Sequence, residues 1–243
     1  MPQKKGFNPG ISELEYGLAE AVYHWINYVI TCGNDRLIEE HSIRYPLSEF
    51  IERKYKAEVS LEQTTTLLKS KRYDFYYQMP ETRIGEGTNG YIEVKYLRDD
   101  TQYSSEINRF FADLVRLAIS GGRVNYFILF GERVKFETCF KHVGKLVESE
   151  EFVKARFSGK NIEDVPYGIY SKWFGFDVKT TIDFNVDAFP ENKEFFTNTH
   201  KDKENNTIPI DGLTIRTQLL AVMPKNEDKS SQVVYIWQVS KVY

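Results

Sequence analysis

Hydrophobic and polar positions change period several times along the chain, and each change marks an element. Over residues 11–30, Ile11, Leu14, Leu18, Val22, Trp25 and Val29 recur at three- and four-residue steps, which predicts an amphipathic helix with one apolar stripe. Ser12 stands as its N-cap with Glu15 in capping-box spacing, and Cys32-Gly33-Asn34 supplies the stop. A shorter helix is predicted over 47–55, after Pro46. The period then becomes two. Residues 56–63 alternate as a half-buried strand should, 72–78 form a second, aromatic-rich strand, and 91–97 a third. The stretch 79–90 between the last two is a loop by its Pro, Gly and Asn-Gly content.

Helical period returns over 104–120, with Ile107, Phe110, Phe111, Leu114, Leu117 and Ala118 on one side and Gly121-Gly122 as terminator. The nearly continuous apolar run 124–130 is the pattern of a strand buried on both faces. Strand, helix and strand at this spacing predict a crossover unit whose strands run parallel. Past Gly131, residues 136–157 read as mostly helical, and 161–211 mix short apolar patches with Pro and polar residues without a period. Residues 214–223 and 232–239 read as an antiparallel hairpin that buries Leu219, Val234 and Trp237. No repeat or linker divides the chain, so a single domain over 1–243 is expected, with a core at 11–130 and 131–243 as its C-terminal extension.

Composition narrows the classes. Aromatic residues make up 15% of the chain, enough to fill a large core and to leave some rings for stacking. The net charge of −3 argues against a protein held to nucleic acid by a general basic excess, although a local basic groove beside a metal site is compatible with it. Cys32 and Cys139 show no CxxC spacing, and His24, His41, His142 and His200 are scattered, so neither a disulfide framework nor a zinc site is indicated. With no apolar h-region at the N-terminus and no apolar run of spanning length, the expectation is a cytoplasmic protein without a membrane segment.

The candidate chemistry lies in the second and third strands. Glu-x-Lys occurs four times, at Glu52/Lys54, Glu93/Lys95, Glu191/Lys193 and Glu227/Lys229, but only Glu93 and Lys95 sit in an apolar strand. Residues two apart on a strand share a face, so Glu93 and Lys95 project together while Ile92, Val94 and Tyr96 point the other way. In the preceding strand Asp74, Tyr76 and Gln78 share one face, and Tyr73, Phe75 and Tyr77 the other. If the strands pair, Asp74 approaches Glu93. Two carboxylates held close repel, and a divalent cation resolves the repulsion; hard oxygen ligands suit Mg²⁺, with Mn²⁺ as substitute.

With Asp on the second strand and Glu-x-Lys on the third, in the order helix, three strands, helix, strand, residues 11–130 resemble the PD-(D/E)XK phosphodiesterases. The resemblance covers about half the chain; Tyr73 stands where the family's motif has Pro, and the helix at 47–55 is an addition. It implies an α/β fold with a restriction-endonuclease-like central mixed sheet flanked by helices, here with a C-terminal strand extension. It also implies a nuclease that hydrolyses phosphodiester bonds, with nucleic acid as partner and DNA ahead of RNA. Asp74 and Glu93 would bind the metal together with the Val94 backbone carbonyl, and Lys95 would act on the attacking water and the phosphate. Many members add a Glu from the first helix. Glu15, at the edge of the core-facing stripe, is the candidate for that place as well as for capping; Glu13 and Glu20 face away, and Glu39 and Glu40 lie past the helix stop. Arg116 either reaches phosphate or lies exposed on its helix. A catalytically inactive nucleic-acid-binding or protein-interaction protein on the same fold is the alternative, and a homodimer is left open.

Overall fold

The computed structural model describes residues 13–64, 67–68, 71–81, 87–97, 103–133, 172–175, 177–224 and 232–243, the side chains of 103–107 excepted. Its elements run α1 (Glu13–Thr31), α2 (Arg44–Tyr55), β1 (Glu58–Thr64), β2 (Arg72–Gln78), β3 (Asn89–Leu97), α3 (Tyr103–Ile119), β4 (Asn125–Glu132), β5 (Thr181–Asn185), α4 (Pro190–Thr199), β6 (Thr214–Met223) and β7 (Gln232–Val242). The strands form one seven-stranded mixed sheet in the order β1-β2-β3-β4-β7-β6-β5, with helices on both faces. The fold is α/β. No helix among the described residues is long and apolar enough to cross a membrane.

Helix α1 follows its stripe: Leu18, Ala19, Val22, Ile26 and Val29 are buried. With α2 it covers the face of the sheet that carries Phe75, Tyr77, Ile92, Val94, Tyr126, Ile128 and Phe130. On the opposite face α3 and α4 bury Phe110, Phe111, Leu114, Leu117 and Phe196 against Phe127, Leu129 and Trp237. Burying each such side chain contributes about 1.5–3 kcal/mol, so the two-sided β4 is the strand the core is built around. Strand β3 pairs parallel with β4, from Ile92↔Tyr126 to Leu97↔Gly131, through the α3 crossover. The C-terminal hairpin pairs antiparallel and buries Leu219, Val234 and Trp237 completely.

Several boundaries differ from the sequence reading. Helix α2 begins at Arg44 rather than 47, because Pro46 fits a first turn, where its missing N–H has no partner to lose. Strand β3 starts at Asn89, inside what reads as a loop. Gly90 pairs with Tyr77, and a Cβ there would meet the Val124 carbonyl oxygen at 1.6 Å, so only glycine lets the strand pass this close. Strand β1 is almost wholly exposed instead of half-buried, since among the described residues it is an edge strand whose one strand partner is β2. Its Glu58 and Glu62 discourage pairing with another chain. The helix expected over 136–157 and the Ser12 cap fall outside the described residues. The stretch 161–211 contributes β5 and α4.

His200, just after α4, is buried and stacks on Phe196 with ring centroids 4.4 Å apart. Burial, with Lys71 and Arg116 nearby, lowers its pKa from an ordinary 6.5 to about 4. The unfolded chain therefore takes up this proton first. Stability is whole above about pH 6.5 and is lost as pH falls toward 4, by on the order of 2 kcal/mol at pH 5. Urea unfolding at pH 7.5 and pH 5 is expected to show that loss, with a smaller difference in His200→Gln. An equal pH dependence in both proteins would remove His200 as its source.

Candidate active site

Strands β2 and β3 pair antiparallel only from Gln78↔Asn89 to Phe75↔Ile92, and part beyond that point. The edge of β3 that faces β2 then carries N–H groups with no strand to receive them, and buried N–H groups demand partners. Two carboxylates take them. Asp74 Oδ2 accepts from the Val94 N–H at 2.9 Å, and Glu40 Oε1 accepts from the Tyr96 N–H at 3.3 Å. A strand residue's N–H and C=O leave on the same side, so the Val94 carbonyl points into the same gap. The break coincides with Glu62, which lies across from Asp74 on β1 and has a φ of 53°. Left-handed backbone at a non-glycine residue costs energy and gathers at functional sites.

On the α3 face of β3, Glu93 is 2% exposed and Lys95 lies beside it. Two residues of α3 meet them. The Arg116 guanidinium donates to Glu93 Oε1 at 2.5 Å and to Asp113 Oδ1 at 2.5 Å. Asp113 Oδ2 lies 3.2 Å from Lys95 Nζ, and Glu40 Oε2 lies 3.6 Å from it. Arg116 also donates to the Arg72 carbonyl at 3.0 Å, and its own carbonyl accepts from the Tyr73 hydroxyl at 2.7 Å. At the mouth, Arg44, the first residue of α2, donates to Asp74 Oδ1 at 2.9 Å and to Glu62 Oε1 at 2.7 Å. Glu93, Asp113 and Arg116 form the floor; Asp74, Glu40 and Arg44 are reached by solvent.

Burial pushes the Glu93 carboxyl well above the usual carboxylate range against the pull of Arg116, and Asp113 and Asp74 add to the rise. Burial likewise raises Glu40, opposed by Lys95. For Lys95 burial works against the charge, yet Asp113, Glu40, Glu93 and Asp74 together raise its pKa above the ordinary lysine value. Asp113 is held below the carboxylate range by Lys95 and Arg116 in spite of its burial. Four carboxylates, Glu40, Asp74, Glu93 and Asp113, thus face three cations, Arg44, Lys95 and Arg116, one of which Glu62 also shares. With Glu93 ionised the cluster holds a half-buried surplus of negative charge, which is costly; the raised Glu93 pKa reflects that cost, and a bound cation would offset it.

The structure brings Asp74, Glu93, Lys95 and Val94 together. It does not bring Glu15 to them. Glu15 is buried on α1 at the opposite face of the sheet, where it accepts a short hydrogen bond from the Tyr126 hydroxyl. Nor is Arg116 an exposed helix arginine: it is buried because Glu93, Asp113 and the Arg72 carbonyl give its guanidinium three acceptors. Tyr73 departs from Phe75 and Tyr77 and packs on the α3 face beside Tyr91, in the part of β2 that no longer pairs with β3. Glu40, Arg44 and Asp113 were not legible as site residues. For Asp113 and Arg116 a signal exists, two charges set among the apolar Phe110, Phe111, Leu114 and Leu117. For Glu40 and Arg44 there is none, since their partners lie far away in the chain.

Among the described residues no group of three or more His, Cys, Asp or Glu side chains is arranged to hold a metal ion. The set implied by the resemblance is smaller, two carboxylates and a carbonyl, and Mg²⁺ commonly takes one or two carboxylates and keeps its waters. The Asp74 oxygens are engaged by Arg44 and the Val94 N–H, but a carboxylate offers about four lone-pair positions, so capacity remains. Hard oxygen donors and surplus negative charge fit such an ion. Comparison with protein-family models, curated proteins and solved structures finds no match for this chain.

Proposed function

We propose that this protein is a metal-dependent nuclease that hydrolyses phosphodiester bonds, in DNA ahead of RNA, on a restriction-endonuclease-like core. The observation that carries the reading is the convergence of Asp74, Glu93, Val94 and Lys95 where β2 and β3 part. Helix α1, strands β1–β3, helix α3 and strand β4 follow the order of elements that accompanies this motif, with α2 added.

Asp74, Glu93 and the Val94 carbonyl would hold Mg²⁺, or Mn²⁺ in its place, and the ion supplies a more acidic water and charge stabilisation at the phosphate. Lys95 Nζ orients the attacking water and offsets negative charge as it grows on the phosphoryl oxygens. Arg44, at the mouth, holds Asp74 from the solvent side. The second reading, a non-cleaving protein that binds nucleic acid or another protein on the same fold, draws on one observation: Asp74, Glu93 and Asp113 are each already engaged by an arginine.

Incubation with supercoiled, linear and single-stranded DNA and with RNA, each with Mg²⁺, Mn²⁺ or EDTA, separates the two. Cleavage that EDTA abolishes is expected. Intact substrates in every metal, with or without binding, would move the assignment to the second reading.

A further inference from the structure

Glu93 and Lys95 project from β3 toward α3, and what they meet there is a matched pair of opposite charges one turn apart. Arg116 touches Glu93 at 2.5 Å, Asp113 faces Lys95 at 3.2 Å, and Arg116 and Asp113 are joined at 2.5 Å. The four groups form a chain of three contacts, from Glu93 through Arg116 and Asp113 to Lys95. Residues three apart on a helix share a face, as residues two apart on a strand do, so the helix pair and the strand pair stand in register. Arg116 is further fixed by the Arg72 carbonyl at 3.0 Å and by the Tyr73 ring, whose centre lies 5.2 Å from the guanidinium carbon. The Tyr73 hydroxyl in turn ties β2 to the backbone of α3 at Arg116.

Arrangement of this kind exceeds what stability requires. An apolar pair at 113 and 116 would continue the stripe of Phe110, Phe111, Leu114 and Leu117, and replacing buried ion pairs by apolar residues is commonly neutral or stabilising. From this geometry, and resting on the nuclease reading above, we infer that Asp113 and Arg116 are positioning residues: from α3 they hold Lys95 and Glu93 at the places where each acts. Arg116 fixes one Glu93 oxygen and leaves the other for a ligand. Asp113, at 3.2 Å, holds the Lys95 ammonium on its inner side, opposite the more exposed Glu40 at 3.6 Å. Outer-sphere partners of metal ligands act in this manner, by orientation.

Asp113→Asn and Arg116→Lys in the full chain test the inference by thermal melting, calorimetric Mn²⁺ titration, DNA cleavage and peptide-mapped acetylation of Lys95. Asp113→Asn is expected to melt cooperatively, bind Mn²⁺ like wild type, acetylate faster at Lys95 and cleave about 10–100-fold more slowly. In Arg116→Lys a single ammonium cannot reach Glu93, Asp113 and the Arg72 carbonyl together, so Mn²⁺ affinity is expected to fall about tenfold. Should Arg116→Lys fail to fold, Asp113→Asn decides alone. Folded variants with wild-type Mn²⁺ affinity, cleavage and Lys95 acetylation would overturn the inference and leave the pair a packing device. If wild type itself binds no Mn²⁺ and cuts nothing, the nuclease reading falls separately. Lys95 acetylation in Asp113→Asn then still judges the clamp, faster supporting it and unchanged overturning it.

Discussion

Lys95→Ala is expected to leave Mn²⁺ binding intact while cleavage falls by a factor on the order of 100 or more, the scale of losing one electrostatic or acid–base contribution. Lys95 is not a ligand in the proposed site; its ammonium faces Asp113 and Glu40, and Asp113 keeps Arg116 at 2.5 Å when the lysine is gone. The fold should therefore survive the change. Metal affinity should hold or rise slightly, because a nearby positive charge has been removed. Glu93→Gln should do the reverse. It removes a negative oxygen from the proposed ligand set, leaves Arg116 with Asp113 as its one carboxylate partner among these contacts, and so weakens Mn²⁺ binding directly. Calorimetric Mn²⁺ titration of both variants beside a cleavage assay reads the split. Should Lys95→Ala cut as fast as wild type while Glu93→Gln binds Mn²⁺ normally, the cluster is an ordinary buried ion-pair network.

The parts of the fold that were legible are those whose cause is local. The apolar run of β4 reads as a strand buried on both faces, and Tyr126, Ile128 and Phe130 do face one helical layer while Phe127 and Leu129 face the other. The alternation of β1 is equally regular, yet β1 lies at the sheet edge, and a period of two says which side chains agree in direction without saying what covers them. Within the site, Asp74, Glu93 and Lys95 were legible because the strand period places them. Glu40 and Arg44 were not, because what recruits them is the bare edge of β3 and the Asp74 carboxylate, features that exist only after the strands part. The burial of Arg116 is not legible for a related reason. A helix arginine is exposed unless the interior supplies acceptors, and its acceptors come from β2, β3 and α3 together.

Truncation after Asp211 is expected to give a product that neither melts cooperatively nor stays soluble. The cut removes β6 and β7, and β7 lies in the interior of the sheet, between β4 and β6. Its ladder with β4 runs from Asn125↔Val239 to Glu132↔Gln232, so the most buried strand of the protein would be left with a bare edge along its length. β5 would lose its strand partner as well, since it pairs with β6. Both helical layers would lose what they cover: Ala221, Val234 and Ile236 on the α1 side, Leu219, Val233 and Trp237 on the α3 side, all fully buried. The large side chains among these contribute about 1.5–3 kcal/mol each, against a net stability of about 5–15 kcal/mol for a whole domain. The remainder cannot close that gap, and its exposed apolar face should drive association. Gel filtration and a thermal melt of the 1–211 fragment decide the matter. A monodisperse fragment with a sharp transition would show that residues 1–211 fold without the strands that complete the sheet.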